Sequence, residues 1–277
     1  MKSHPKKEKG RIRKAVIPAA GFGTRSLPLT KTVPKEMFPI SGKPAIHYII
    51  EEAEKSGIEE ILMIVSRSRN LIIDYFDRSP ELEAYLVEKK KEHLLNKLVL
   101  PKVQIQYVRQ LTVNGLGDAI RLAKSFVGED PFAVLLPDDI ILSNQKPGLA
   151  QLVNVYSSYQ SNVIALHEVK WEELKNYGVI GGKPIESGVY RITDIIEKPE
   201  TSPPSNLAVI GRYILKPSIF YYLERLAPGS GGEIQLTDAI KAMLQDEKCM
   251  GKICSGERYD IGKERDYAIL VNRLCGG

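Results

Sequence analysis

The chain has 277 residues, 43% hydrophobic and 26% charged, with a formal net charge of +5; that size and balance support a substantial core and exclude disorder. The excess charge is local: residues 1–14 carry seven Lys or Arg against Glu8, and the rest of the chain holds 32 basic and 33 acidic residues, which argues against a nucleic-acid binder. No apolar run approaches the roughly 18 to 20 residues of a membrane span, and MKSHPKKEKGRIRK has no apolar stretch of the secretory kind, so a cytoplasmic protein without a membrane partner is expected.

Residues 1–13 read as a basic, solvated and mobile tail. From residue 14, short β-branched runs alternate with amphipathic segments: KAVIPAA, PAIHYIIEEAEKSG, EILMIVS, SRNLIIDYFDRS, VQIQYVRQ, LGDAIRLAKSFVG and FAVLLPDD. Such alternation predicts an α/β fold, a Rossmann-like, doubly wound mixed sheet that is mostly parallel and carries helices on both faces. Residues 80–100 have helical spacing with charges between, consistent with one long exposed helix or a helical pair. After residue 162 the pattern changes. NVIALHEV, VYRITDIIEKP and LAVIGRYIL are strand candidates joined by loops rich in Gly, Pro, Ser and Asn, and they either extend the first sheet or build a smaller one beside it. Helical segments PSIFYYLERLA and EIQLTDAIKAMLQDE precede MGKICSGERYDIG and ERDYAILVNRL. Residues 14–277 are expected to form one domain with a change of character near residue 162.

Cys249, Cys254 and Cys275 have neither CxxC spacing nor a nearby histidine, which suits thiols in a reducing compartment. His4, His47, His93 and His167 are scattered and give no support to a histidine triad or an HExxH metal site.

Chemistry concentrates after the first strand. Gly21 and Gly23 follow AVIPAA, where the chain can turn sharply and present bare N–H groups to an anion at the C-terminal edge of a sheet. The loop lacks the third glycine of GxGxxG, since Ser26 stands there, and it lacks the GK[ST] of a Walker loop. Arg25, Lys31 and Lys35 follow, while Pro28, Pro34 and Pro39 discourage a regular helix and stiffen the segment. A planar guanidinium and compact ammonium heads on a stiff loop suit an oligophosphate; a cationic surface loop is the alternative. Asp138 ends the apolar strand FAVLL, so it faces the same edge, and its hard oxygens suit Mg2+. For its neighbour Asp139, opening a turn or capping a helix is the simpler reading.

GFGTRSLPLTKTVPKEMFP resembles the GxGTRxxPxTxxxPK signature of the sugar-nucleotide pyrophosphorylases. With PKEMFPISGKPAIHYIIEEA, YVRQ, NGLGDA, LLPDD, NYGVI, IIEKP, PSNLAVIGRYIL, GGEIQLTDAI and RYDIG, the chain from about residue 13 to 270 resembles the bacterial UTP:glucose-1-phosphate uridylyltransferases. The resemblance implies a nucleotide-diphospho-sugar transferase fold, in which residues 14–161 bind nucleotide and a smaller β-rich part, 162–277, binds sugar. It implies that backbone around Ala19, Ala20, Gly21 and Gly23 cradles the nucleotide, that Gln110 and Gly115 read uracil, and that Glu36 lies beside the base. It further implies that Arg25 and Lys35 are catalytic cations, that Asp138 and Asp260 hold Mg2+, and that Gly178, Glu197, Lys198, Val209 and Gly211 surround the sugar phosphate. The implied reaction forms UDP-glucose and pyrophosphate from UTP and glucose 1-phosphate, in a homodimer or homotetramer. Departures from the pattern include NGLGDA for the usual LGLGHA, which puts Asp118 in the place of a histidine. A dTTP-dependent or differently sugar-selective transferase is therefore the alternative reaction, and a non-catalytic sugar-nucleotide sensor the alternative class.

Overall fold

The computed structural model describes residues 10–67, 69–229 and 232–276; most of the basic tail, residues 1–9, lies outside the described residues. The apolar run KAVIPA forms β1 (Lys14–Ala19). Its faces diverge by alternation: Ala15 and Ile17 join one core cluster and Val16 the other, as the two-residue period of a strand requires. Three 3-10 turns follow, Thr24–Ser26, Leu29–Lys31 and Lys35–Met37, the short irregular form expected of a proline-punctuated segment. The hairpin β2 (Pro39–Ile40) and β3 (Lys43–Pro44) leads into α1 (Ala45–Lys55).

The first half continues with β4 (Glu60–Val65), α2 (Asn70–Phe76) and α3 (Pro80–Glu88). A 3-10 segment, Glu92–Leu98, follows α3, so residues 80–100 form the helical pair rather than one long helix. Next come β5 (Gln104–Arg109), α4 (Leu116–Arg121), α5 (Lys124–Val127), β6 (Phe132–Leu135), β7 (Asp139–Leu142) and α6 (Gly148–Tyr159). The second half comprises β8 (Asn162–Glu168), β9 (Gly178–Glu186), β10 (Val189–Glu197), β11 (Leu207–Leu215), α7 (Ile219–Leu223), α8 (Leu236–Met243), β12 (Cys249–Ile253), β13 (Glu257–Asp260) and α9 (Glu264–Cys275).

Nine strands form one mixed sheet in the order β5-β4-β1-β6-β11-β8-β12-β10-β9, and β13 pairs with β7 in a separate ribbon. The later strands thus extend the first sheet rather than building a second one. The expectation of a mostly parallel sheet holds only for the first half. There, β5, β4, β1 and β6 run parallel, whereas β11 lies antiparallel to both β6 and β8, and β10 to both β12 and β9. For β9 and β10 the reason is connection length. Only Ser187 and Gly188 separate β9 from β10, and a two-residue link permits an antiparallel hairpin alone. Helices α1 and α6 pack on one face, and α4, α7 and α8 on the other.

Candidate active site

Because β1, β4, β5 and β6 are parallel, their C-terminal ends share one edge, where open α/β sheets generally meet their ligands. Gly21 follows β1, Arg69 lies beyond β4, Gln110 follows β5 and Asp138 follows β6. Two cavities meet along this edge. One, of about 270 Å3, is lined by Ala20, Gly21, Lys35, Glu36, Gln110 and Gly115; the other, of about 420 Å3, by Arg25, Gly178, Glu197, Lys198, Val209, Gly211 and Asp260. Asp138 lines both.

At their junction, Lys35 Nζ donates to Asp138 Oδ2 at 2.6 Å. Arg25 spans two carboxylates, with Nη2 3.7 Å from Asp138 Oδ2 and Nη1 3.3 Å from Asp260 Oδ2. Burial alone would push the Asp138 carboxyl up, but the Lys35 ammonium and the Arg25 guanidinium reverse this and hold it below the usual carboxylate range. Lys35 responds in the opposite sense: burial opposes its charge, and Asp138 and Glu36 together keep its proton affinity above that of a free lysine. The backbone ties the two aspartates together, since Ile261 N–H donates to the Asp138 carbonyl at 2.9 Å, and Gly262 N–H donates to Asp260 Oδ1 at 3.0 Å.

Asp138 and Asp260 both face the Arg25 guanidinium and offer hard oxygen donors beside it. Among the described residues no group of three or more His, Cys, Asp or Glu could hold a metal, so this pair would need further oxygen donors. Mg2+ suits such a set, because it keeps water and phosphate oxygens in its shell rather than requiring an all-protein cage. The residues fit the ion.

The smaller cavity offers amide and backbone chemistry. Gln110 is buried, and its backbone N–H is fixed on the Val65 carbonyl at 2.9 Å. Gly115 has φ +101°, and a Cβ there would come within 2.7 Å of the Ile234 carbonyl oxygen; only glycine lets the chain pass so close. Glu36 is buried beside Lys35, and burial pushes its carboxyl up against the pull of Lys35 and Arg69. Its Oε2 has no hydrogen-bond partner among the described residues.

In the larger cavity Thr237 Oγ1 donates to Glu197 Oε2 at 2.7 Å, which orients that carboxylate and leaves acceptor capacity for hydroxyl groups. Lys198 adopts φ 43°, rare for a residue with a side chain, and its N–H donates to the Tyr177 carbonyl at 3.0 Å. Gly211 admits the Asp139 carboxylate: its N–H donates to Asp139 Oδ2 at 2.9 Å, and a Cβ would lie 3.0 Å from that oxygen.

Some expected residues stand apart. Ala19 is fully buried at the end of β1 and lines neither cavity; Gly23 lines neither, and its carbonyl accepts from Thr30 Oγ1 at 2.8 Å and so secures the turn. Lys31 is exposed and also lines neither. Asp139 neither opens a turn nor caps a helix. It starts β7 and, besides Gly211, accepts from Arg258 Nε at 2.7 Å.

Several participants gave no sequence signal. Arg69 donates through Nη2 to the Gly21 carbonyl and so shapes the cradle. Arg212, fully buried in β11, donates to both Glu52 oxygens at 2.9 and 2.8 Å and to the carbonyls of Leu136 and Asp139 at 3.1 and 2.7 Å. It thereby holds the backbone on either side of Asp138. Glu52 Oε1 also accepts from Leu149 N–H at 2.8 Å, at the start of α6.

Such an arrangement defines an α/β protein that gathers cations, carboxylates and bare amides where a phosphate chain can lie. The nucleotidyl transferase profile matches residues 14–275, and the chain belongs to that family. A Bacillus subtilis (strain 168) protein provisionally named a UTP–glucose-1-phosphate uridylyltransferase is 57% identical over 260 residues, covering 94% of this chain and 96% of its own. A second protein of that organism, named UTP–glucose-1-phosphate uridylyltransferase, is 47% identical over 260 residues, covering 93% and 89%. The crystal structure of a UDP-glucose pyrophosphorylase complexed with UDP-glucose superposes with a TM-score of 0.86 at 42% identity, covering 96% of this chain and 99% of the other.

Proposed function

We propose that this chain is a UTP:glucose-1-phosphate uridylyltransferase, in which residues 14–161 bind the nucleotide and residues 162–277 the sugar phosphate. A phosphate oxygen of glucose 1-phosphate attacks the α-phosphorus of UTP in line, and pyrophosphate leaves. The single observation that carries this reading is the convergence of Lys35, Arg25, Asp138 and Asp260 where the two cavities meet. The names of the relatives and the ligand of the superposed structure support the choice of substrates.

The division of labour follows from charge. A phosphomonoester has its second pKa near about 6, so the nucleophile is largely dianionic at neutral pH and needs no general base. The protein has to align two anions and compensate charge that moves onto the leaving group. Gly21, Gly115 and Gln110 hold the nucleotide, Lys35 and Arg25 stabilise the departing pyrophosphate, Glu197 accepts from sugar hydroxyls, and Lys198 meets the sugar phosphate. Asp138 and Asp260 would hold Mg2+, which when bound lends positive charge to the phosphate oxygens.

The test is a panel of UTP, dTTP, CTP and GTP against hexose 1-phosphates, with and without Mg2+, read by pyrophosphate release. UTP with glucose 1-phosphate is expected to give the highest kcat/KM, and only with the metal. A preference for dTTP, or binding of UDP-glucose with no turnover, would replace this reading.

A further inference from the structure

We propose that Asp118 is a positioning residue for the nucleobase: it locks the Gln110 side-chain amide with its oxygen toward the cavity, so that the site selects a base presenting a ring N–H. The proposal rests on the reading of this site as one for UTP. It starts from a triad on α4 and the preceding loop, two members of which are buried. Gln110 and Asp118 are 4% and 6% exposed. Gln110 Nε2 donates to Asp118 Oδ2 at 2.8 Å, and Arg121 Nη2 donates to Asp118 Oδ1 at 2.6 Å.

The side-chain amide has two faces of opposite character, and its surroundings decide which one meets the ligand. A carboxylate paired with arginine has no proton to give. Were the amide reversed, Oε1 would oppose Oδ2, two acceptors without a hydrogen between them. The nitrogen is therefore held inward. Among the described residues no donor reaches Gln110 Oε1, and Gln110 lines the nucleotide cavity whereas Asp118 does not. The backbone gives the loop no slack: Gln110 N–H is bound to the Val65 carbonyl, Ile234 N–H to the Asn114 carbonyl and Gly117 N–H to the Ile234 carbonyl, at 2.9, 2.8 and 2.8 Å.

Uracil offers N3–H to such an oxygen. Cytosine offers a bare N3 lone pair at the same place, which leaves two acceptors facing each other, and sites built around a hydrogen bond reject analogues that cannot form it. Thymine shares the N3–H, so the lock separates UTP from CTP and leaves UTP against dTTP to other contacts. The histidine usual at position 118 in the family pattern can donate or accept according to its tautomer; by itself it would not impose this orientation.

Asp118→Asn tests the lock, because the near-isosteric amide can donate to Oε1 and release Gln110 to rotate. Dissociation constants for UTP and CTP are measured by calorimetry, alongside kcat and KM for pyrophosphate release. The UTP-to-CTP preference is expected to fall by about tenfold, in affinity and KM, while kcat at saturating UTP stays within about threefold of the parent. In a Gln110→Ala background the same substitution should change the preference by less than about twofold, because Asp118 acts through Gln110. If Asp118→Asn does not fold, Asp118→Ala is read by the same ratio. A preference kept within twofold, or an equal loss in both backgrounds, overturns the lock. A parent that binds UTP selectively without turnover overturns the transferase reading alone, and the affinity ratio still judges the lock; a parent that binds neither nucleotide overturns both.

Discussion

Lys35 and Asp138 keep each other charged, each against the burial that opposes it. Lys35→Ala is expected to lower kcat by about a hundredfold or more, the scale for losing a charge aimed at a developing anion, while the thermal transition stays cooperative. Turnover near that of the parent would remove Lys35 from the chemistry. Both residues were legible in the sequence, Lys35 from a proline-stiffened loop and Asp138 from its place at the end of an apolar strand. Arg69 was not, and Asp118 was legible only as a departure from the family pattern, without its contact to Gln110. An arginine that orients a glycine carbonyl from 48 positions away, or a carboxylate that orients a neighbouring amide, looks like any surface charge until the backbone brings the partners together.

Between elements, Glu52 on α1 joins Arg212 of β11 to the first turn of α6. Glu52→Gln leaves the Arg212 charge buried with only neutral acceptors, so unfolding free energy from urea titration is expected to fall by about 3–5 kcal/mol. The paired replacement Glu52→Leu with Arg212→Met should be much less harmful, since it removes both charges at once. Next to it on α1 lies Glu51. Burial would push its carboxyl up, but hydrogen bonds from Lys43 and Lys55 bring it down from 4.5 to about 2. Its folded-state value is depressed, so its contribution is fully present above about pH 4.5 and is lost as pH falls toward 2. Compared by thermal melting, Glu51→Gln and the parent should therefore differ at pH 7 and converge near pH 2; a gap unchanged across that window would show that the contacts are not ionic. Strand β9 was hard to foresee because GVIGGKPIE carries three glycines and a proline and is exposed in its second half. Its strand character comes from pairing with β10 and β11, a tertiary effect that local propensity does not register.

Across the molecule, the order of the motifs announced an α/β nucleotide-handling protein, and the parallel half of the sheet followed from its strand and helix alternation. The antiparallel half did not. It depends on hairpins and on a sheet that runs unbroken past residue 162, and the periodicity of separate segments carries no information about which strands become neighbours. The same continuity couples ligand to stability. UDP-glucose at about 100 times its dissociation constant should add about 2.7 kcal/mol, a rise in Tm of roughly 4–5 °C for a chain of this size; calorimetric scans without any shift would argue against a site spanning both cavities. Among the described residues no helix is long and apolar enough to cross a membrane.

The Arg25 to Asp260 pair, 235 positions apart in sequence, joins the opening loop to the closing ribbon, and within that ribbon Ile261 N–H binds the Asp138 carbonyl. Contacts this distant bear a large loop-closure cost and tend to form late. A nascent chain on the ribosome therefore carries Gly21 and Arg25 long before it carries Asp260. The two carboxylates that face Arg25 are both in place only when synthesis has passed β13.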